Sequence, residues 1–166
     1  DNEGKASGTN TTFTDKDRQY IDPTPDFEWG FTNTLSYKNF DLSIFIRGVQ
    51  GSKIFANSSL NLGSWAYIPG ANVTEDALTN GFVKKPNIST YWLKDASFAR
   101  LENVTLGYTV TRIKRISKLR IYAVGRNLFL LTSYEGIDPE VNVEGPQRYI
   151  DQSYYPKTRS FTIGLD

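Results

Sequence analysis

Apolar and polar residues alternate most regularly between residues 27 and 50. Over 27–37 the large apolar side chains fall on one face, interrupted only by Asn33, while the other face carries Glu, Gly, Thr and Ser. A two-residue period of this kind predicts a β-strand with unlike faces. The period returns over 40–50 after the link Lys38-Asn39, in which Asn39 suits a positive φ, so the pattern predicts a β-hairpin.

Three later segments alternate in the same way, at 97–110, 118–132 and 159–166. In the first of them Glu102 and Val104 are predicted to share a face, and in the second both faces are partly apolar, which leaves its orientation open. A helical turn is expected at 74–78, capped by Thr74. The pattern as a whole predicts an all-β fold, an antiparallel meander of about five strands.

The links between these strands alternate between short (38–39, 111–117) and long (51–96, 133–157). Successive links of an antiparallel meander lie at opposite ends, so all the short links share one end. Outer-membrane β-barrels have this asymmetry, and their strands need about 9–11 residues to cross a bilayer. The link lengths therefore favour a transmembrane β-barrel, and a soluble β-sandwich carbohydrate-binding module stays the alternative.

In such a barrel the apolar face of each strand contacts lipid. The residues predicted to face lipid are Phe31, Leu35, Leu42, Ile44, Ile46, Phe161 and Ile163. Tyr37, Phe40 and Tyr108 are expected near the inner membrane interface, where aromatic rings gather. Five strands cannot close a barrel, since the smallest single-chain barrels use about eight. The chain is therefore expected to form part of a larger wall.

The composition of the chain argues against several classes of function. Lys and Arg number 19 against 18 Asp and Glu, a net charge of +1, which argues against the concentrated basic surface that binds nucleic acid. Cys and His are both absent, which removes thiolate metal sites and the commonest general base. We predict no catalytic residue, no metal site and no cofactor, and hence no enzyme. Because Met is also absent, Asp1 is not expected to be a native start.

Several short sequence motifs follow one another along the chain in an order typical of a known family. The most specific is DASFARLENVTLGY at 95–108. The others are DPTPDFEWGF at 22–31, LSYKNFDLS at 35–43, GVQGSKIFAN at 48–57, LRIY at 119–122, GRNLF at 125–129, YEGIDPEV at 134–141 and YPKTRSFTIGL at 155–165. As an ordered set they resemble the C-terminal barrel segment of the SusC/RagA-type TonB-dependent outer-membrane transporters.

The resemblance implies a location, partners and a cargo. The family's barrel has about 22 strands around an N-terminal plug, is energised by the TonB complex, and works with a SusD-like surface lipoprotein. It imports oligosaccharides or peptides across the bacterial outer membrane. Residues 1–26 then form an extracellular loop, and 27–166 form the C-terminal part of the barrel, in contact with the plug and the other strands. The plug and the family's usual terminal aromatic residue are absent from this sequence, so we do not expect the segment to insert or transport alone.

Aromatic residues on or beside the long loops are the candidates for contact with a substrate or partner. They are Trp65, Tyr67, Tyr91, Trp92 and Tyr134. Their rings suit stacking against sugars or packing against the lipoprotein. Packing of the loops against themselves explains the same residues equally well, so both interpretations stay open. The resemblance implies that specificity for the substrate lies largely in parts of the transporter outside this segment.

Overall fold

A computed structural model describes residues 18–68, 70–111, 118–141, 145, 147–152 and 155–166. The chain divides into two compact units. The sheet unit contains residues 25–51, 96–133 and 156–166. The loop unit contains the described residues of 1–24, 52–95 and 134–155, and so combines most of both long connections. The segments 1–17 and 112–117, which hold most of the predicted first loop and of the short basic link, lie outside the described residues.

The sheet unit is one antiparallel sheet with the strand order β1-β2-β5-β6-β7. Its strands, numbered along the whole chain, are β1 (Phe27–Tyr37), β2 (Phe40–Gln50), β5 (Phe98–Val110), β6 (Leu119–Thr132) and β7 (Ser160–Leu165). Their ends differ from the predicted ranges by at most one residue. The predicted meander of five antiparallel strands is confirmed, because each strand of this sheet pairs with the strand that precedes it in the sheet order.

The hairpin link differs from the prediction in one residue. Lys38, not Asn39, takes the positive φ, at 54°. Asn39 bonds to the next strand of the sheet instead: its side-chain amide donates to the carbonyl of Thr109 at 2.7 Å, and its own carbonyl accepts from the Thr109 N–H at 2.8 Å. These two bonds hold the turn against β5, and they explain why an Asn stands at this position.

A bulge corrects the predicted faces of β5. The register shifts between Leu101 and Asn103, so Glu102 has no partner of its own in the ladder with β6. On the β6 side Asn127 adopts a positive φ of 52°, a conformation that Asn tolerates better than most residues. The extra residue brings Leu101 onto the same face as Val104. The prediction that Glu102 shares the face of Val104 is therefore wrong, because a strict two-residue period cannot cross a bulge.

Aromatic rings cover glycines on neighbouring strands. The Trp29 ring of β1 lies over Gly48 of β2, so that a Cβ at Gly48 would come within 2.3 Å of the ring. On the opposite face Tyr122 of β6 covers Gly164 of β7, where a Cβ would come within 2.4 Å. Both glycines stand opposite the covering residue in the strand register. Their missing side chains give the rings room to lie flat on the sheet.

The loop unit has short regular elements, most of which the sequence did not predict. Strand β3 (Lys53–Phe55) pairs with β4 (Leu93–Asp95) in antiparallel fashion, and α1 spans Asn57–Leu62. Single 3₁₀ turns lie at Trp65–Tyr67, Glu75–Leu78 and Thr90–Trp92. The turn expected at 74–78 is thus present, with Thr74 at its cap position but without a side-chain capping bond. Among the described helices, none is long and apolar enough to cross a membrane.

A buried carboxylate joins the segments of the loop unit. Asp151 is 2% exposed. The Tyr134 hydroxyl donates to its Oδ2 at 2.6 Å, and the Ser58 hydroxyl donates to its Oδ1 at 3.1 Å. Burial raises the pKa of the Tyr134 hydroxyl, and the hydrogen bond to Asp151 and the charge of that carboxylate raise it further. The tyrosine proton therefore stabilises the buried pair.

We expect Gly48→Ala to destabilise the sheet unit by about 1–3 kcal/mol, the usual range for overpacking. The added methyl group meets the rigid Trp29 ring, which has to leave its place on the sheet. Thermal unfolding of the full-length protein in detergent measures the loss. Gly70→Ala is the matched control, because its Cβ would lie 3.7 Å from the nearest atom, an ordinary contact. Equal melting temperatures for the two variants would contradict the packing argument.

The loop unit should lose stability as the pH rises above about 10, where tyrosine in an unfolded chain loses its proton. Folded Tyr134 keeps its proton at that pH, so above it the unfolded state binds fewer protons than the folded state and stability falls. Thermal unfolding between pH 8 and 11 measures the decline, which Tyr134→Phe should reduce. Tyr155→Phe changes an exposed tyrosine and should leave the decline as it is. A Tyr134→Phe decline as steep as that of the unchanged protein would refute the assignment.

Candidate functional site

One face of the sheet unit is apolar across all five strands; we call it the apolar face. The strand register brings the following residues to it: Phe27, Trp29, Phe31, Leu35, Tyr37, Phe40, Leu42, Ile44, Ile46, Leu101, Val104, Leu106, Tyr108, Leu119, Ile121, Ala123, Phe129, Leu131, Phe161, Ile163 and Leu165. All seven residues predicted to face lipid are among them. Asn33 is a polar exception in the middle of β1. The register also settles the orientation of β6, which the sequence left open.

The apolar face is open to its surroundings. Phe31 is 54% exposed and Ile163 is 81% exposed, whereas Leu42, Ile44 and Ile46 in the middle of the sheet are partly covered by their neighbours. A soluble sheet normally covers such a face with a second layer of structure. Phe31 and Ile163 are not covered in this way. The face therefore needs an apolar partner.

Aromatic rings gather where the apolar face meets the short links. Phe40 and Tyr108 are opposite each other in the register, and their ring centroids lie 4.7 Å apart. Tyr37 pairs with Phe40 across the hairpin and is exposed. The ammonium group of Lys38 lies 5.2 Å from the centre of the Tyr37 ring. Rings with a polar end beside a cation suit a membrane–water interface.

The opposite face, which we call the polar face, carries an ion pair that crosses a whole strand. Arg120 of β6 donates to Asp41 of β2 through Nε at 3.0 Å and Nη2 at 2.6 Å. The pair passes over Gly107 of β5, where a Cβ would come within 2.4 Å of the carboxylate. The Arg120 guanidinium also lies 5.0 Å from the centre of the Tyr122 ring. Such a two-bond pair fixes both side chains along the sheet.

A second charged group lies on the polar face toward the long connections. Arg47 and Arg100 stand directly opposite each other in the register, an arrangement of like charges that destabilises a sheet. Each has its own partner, since Arg47 Nε donates to Glu102 at 2.9 Å and Arg100 donates to the Asn127 side chain. The ring of Phe98 lies about equally far from both guanidinium groups. The polar face is thus a charged and hydrogen-bonded surface.

Some of the aromatic residues of the loop unit pack against one another in its interior. The rings of Phe82, Tyr91 and Trp92 contact one another at centroid distances of 4.8–5.3 Å. Trp92 is 1% exposed, and its indole N–H donates to the Asn87 carbonyl at 3.1 Å. Tyr134 is also buried. The structure therefore gives Trp92 and Tyr134 a packing role.

The remaining three aromatic candidates reach the surface of the loop unit. Trp65 is 45% exposed, and Tyr67 and Tyr91 are half-buried. Burial raises the pKa of the Tyr91 hydroxyl, and the carboxylates of Asp76 and Glu135 raise it further. The Lys94 ammonium lies 4.8 Å from the centre of the Tyr91 ring. A contact role with substrate or partner is kept as a proposal for these three residues only.

Carboxylates in the loop unit build turns. The N–H and hydroxyl of Thr24 both donate to Asp22, at 2.9 and 2.7 Å, and these bonds lower the pKa of the carboxyl. Asp138 accepts from the N–H of Glu140 at 2.9 Å. Within the described segments no three His, Cys, Asp or Glu side chains are arranged to hold a metal ion.

The sequence did not reveal the cross-strand ion pairs or the Asp151 network. Asp41 and Arg120 are far apart in the chain, and only the register of three strands brings them together. Asp151 stands in an irregular segment without a recognisable motif. The usable signal for the ion pairs was the presence of charged residues within strand segments, on the side opposite the apolar face, which calls for partners on neighbouring strands.

Comparisons with known proteins agree with this architecture. No family model matches the chain. TonB-dependent receptor P3 of Formosa agariphila is 36% identical over 174 residues, which cover 90% of this chain and 17% of the relative. TonB-dependent receptor SusC of Bacteroides thetaiotaomicron is 30% identical over 88% of this chain and 15% of its own length. The chain thus spans about a sixth of the length of the curated relatives that it matches.

Solved structures show the same fold. The RagAB peptide importer in its closed-closed state matches 93% of this chain and 18% of its own chain, with a TM-score of 0.78 and 24% identity. Its open-open state matches 86% of this chain with a TM-score of 0.70 and 23% identity. Sequence similarity and fold together make the chain a β-barrel segment of a TonB-dependent receptor of the SusC/RagA type.

Proposed function

We propose that the chain forms five neighbouring strands in the wall of an importer of nutrients in the bacterial outer membrane. The apolar face lies against lipid, and the polar face lies toward a water-filled interior. The observation that carries the proposal is the exposure of an apolar surface on five strands whose other side holds ion pairs. In a membrane barrel a sheet needs this combination, because lipid and water meet opposite sides of each strand.

The soluble β-sandwich is the less suitable alternative. A sandwich buries one face of each sheet against a second sheet. The second sheet among the described residues has only two short strands, β3 and β4, and the apolar face is exposed. A carbohydrate-binding module would have to cover this face with protein, whereas lipid covers it without further structure.

The long connections of the chain lie on the extracellular side in this proposal. Trp65, Tyr67 and Tyr91 there contact the substrate or a SusD-like lipoprotein. Exposed apolar residues near Trp65 support a contact with a protein. Ile68 is exposed and lies three residues after Trp65 in the chain. Val83 is exposed and follows Phe82, whose carbonyl accepts a hydrogen bond from the Trp65 N–H. Aromatic rings at a partly polar surface suit both sugars and proteins. The plug and the TonB complex act through parts of the receptor beyond this segment.

The substrate class that we propose is an oligosaccharide or a peptide. The solved RagAB structures are described as those of a peptide importer, and SusC is a curated relative. Both cargoes are rich in hydrogen-bonding groups and neither carries a fixed charge pattern. The polar face, with its Asn, Thr, Arg and Glu side chains, offers donors and acceptors for such cargo. Import requires no bond of the cargo to be broken, so we propose no enzymatic step.

Site-directed spin labelling tests which face meets lipid. The segment has no Cys, so single substitutions Phe31→Cys and Ile163→Cys can be labelled in a Cys-free full-length receptor in lipid vesicles. Their neighbours Thr32→Cys and Thr162→Cys are matched controls on the polar face. We expect molecular oxygen, which concentrates in lipid, to relax the first pair more strongly, and a water-soluble nickel complex to relax the second. Equal accessibility of neighbouring positions would refute the membrane assignment.

Charge substitution tests the same assignment by stability. Ile44→Arg should destabilise the receptor in lipid vesicles by about 2–4 kcal/mol, because an arginine on the lipid face near mid-bilayer costs that much. Ser43→Arg places the same charge on the polar face and should cost less than about 1 kcal/mol. Denaturant unfolding measures both. If the two variants unfold at the same denaturant concentration, Ile44 does not face lipid.

A further inference from the structure

The buried Asp151 carboxylate stands between the two long connections of the chain. One of its hydroxyl donors, Ser58, belongs to α1 in the connection between β2 and β5. A second donor, Tyr134, lies near the start of the connection between β6 and β7, to which Asp151 itself belongs. The carboxylate therefore holds together two segments that are about 90 residues apart in the sequence.

Backbone bonds join the same two segments at the same place. The Phe55 N–H donates to the Tyr149 carbonyl at 2.8 Å, and the Asp151 N–H donates to the Phe55 carbonyl at 2.9 Å. The Ser58 N–H then donates to the Asp151 carbonyl at 3.1 Å. Together they form a short parallel bridge in which Phe55 is opposite Ile150. On the side of the second connection, the backbone bridge and the carboxylate of the side-chain network thus lie within three consecutive residues, 149–151.

A buried carboxylate makes partial separation of this junction unfavourable. A carboxylate removed from water costs several kcal/mol unless its oxygens accept hydrogen bonds. Loss of either hydroxyl donor removes one of the hydrogen bonds that compensate the buried charge. Full separation returns the carboxylate to water, so the joined and the separated states are both favourable compared with any arrangement between them. Such a junction behaves as a two-state element.

The orientation of the Tyr134 ring is fixed by its neighbour Gly136. A Cβ at Gly136 would come within 2.2 Å of the ring, so the ring lies directly on the backbone there. In this placement the hydroxyl reaches Asp151. The second connection thus contains both a donor and the acceptor, and Ser58 adds a bond from the first connection.

We propose that Asp151 is a latch that couples the two long connections, so that they open and close as one unit. A ligand or partner that binds either connection then stabilises the other one, because the two share a single opening equilibrium. The proposal does not depend on which face of the sheet meets lipid. It concerns only contacts inside the loop unit.

Hydrogen–deuterium exchange of the full-length protein tests the latch. Asp151→Asn keeps the size of the side chain but replaces one acceptor oxygen with an NH₂ donor that faces a hydroxyl. We expect exchange to become at least tenfold faster in both 54–62 and 134–141, and to stay unchanged in β5 and β6. Glu75→Gln is the matched control, since it removes the same charge from an exposed carboxylate of the loop unit and should leave exchange unchanged.

Two milder variants keep the test decisive if Asp151→Asn does not fold. Tyr134→Phe and Ser58→Ala each remove one donor, and each should speed exchange in both segments by a smaller factor. The double variant should show less than the product of the two factors, because both residues act on the same carboxylate. Faster exchange confined to the mutated segment, or no change in either, would overturn the proposal.

Discussion

The structure depends on the alternation of side chains along a paired strand. Successive residues point to opposite sides of a sheet, so five strands in a fixed register can be apolar on one side and charged on the other. The register also decides which charges meet. Asp41 and Arg120 form their ion pair because β5 places Gly107 between them, and Arg47 reaches Glu102 because a bulge turns that residue out of the ladder.

The sequence predicts this sheet well because the information is local. The positions of Phe31 and Ile163 follow from a period of two within a single segment, and the ends of the first hairpin follow from Pro25, Asn39 and Gly51. Bulges are harder to predict, because the contacts that stabilise them are made between different strands. Asn127 adopts a positive φ and bonds both to Arg100 and to the Lys157 carbonyl, and neither partner is near it in the sequence. As a result, the alternation of the two faces along β5 shifts by one residue at Leu101.

The loop unit could be predicted only in outline. Its strands and helix have three to six residues, too few for a period to be recognised. Whether an aromatic ring there is buried or exposed depends on distant segments. Trp92 packs on Phe82, and Tyr134 bonds to Asp151, whereas Trp65 reaches the surface. All three are aromatic residues in the long connections, so their residue type does not distinguish them. The sequence identifies the set of aromatic residues, and the structure separates those that pack inside from those that can contact a partner.

The two edge strands of the sheet explain why it has to belong to a larger barrel. Among the described residues β1 pairs only with β2, and β7 pairs only with β6. Their outer N–H and C=O groups point sideways along a surface whose apolar side chains are exposed. In lipid, each unpaired backbone group costs several kcal/mol, so the apolar face and the open edges cannot both meet a bilayer in isolation. Further strands that pair with β1 and β7 remove this conflict, and a closed barrel of the SusC/RagA type supplies them on both sides.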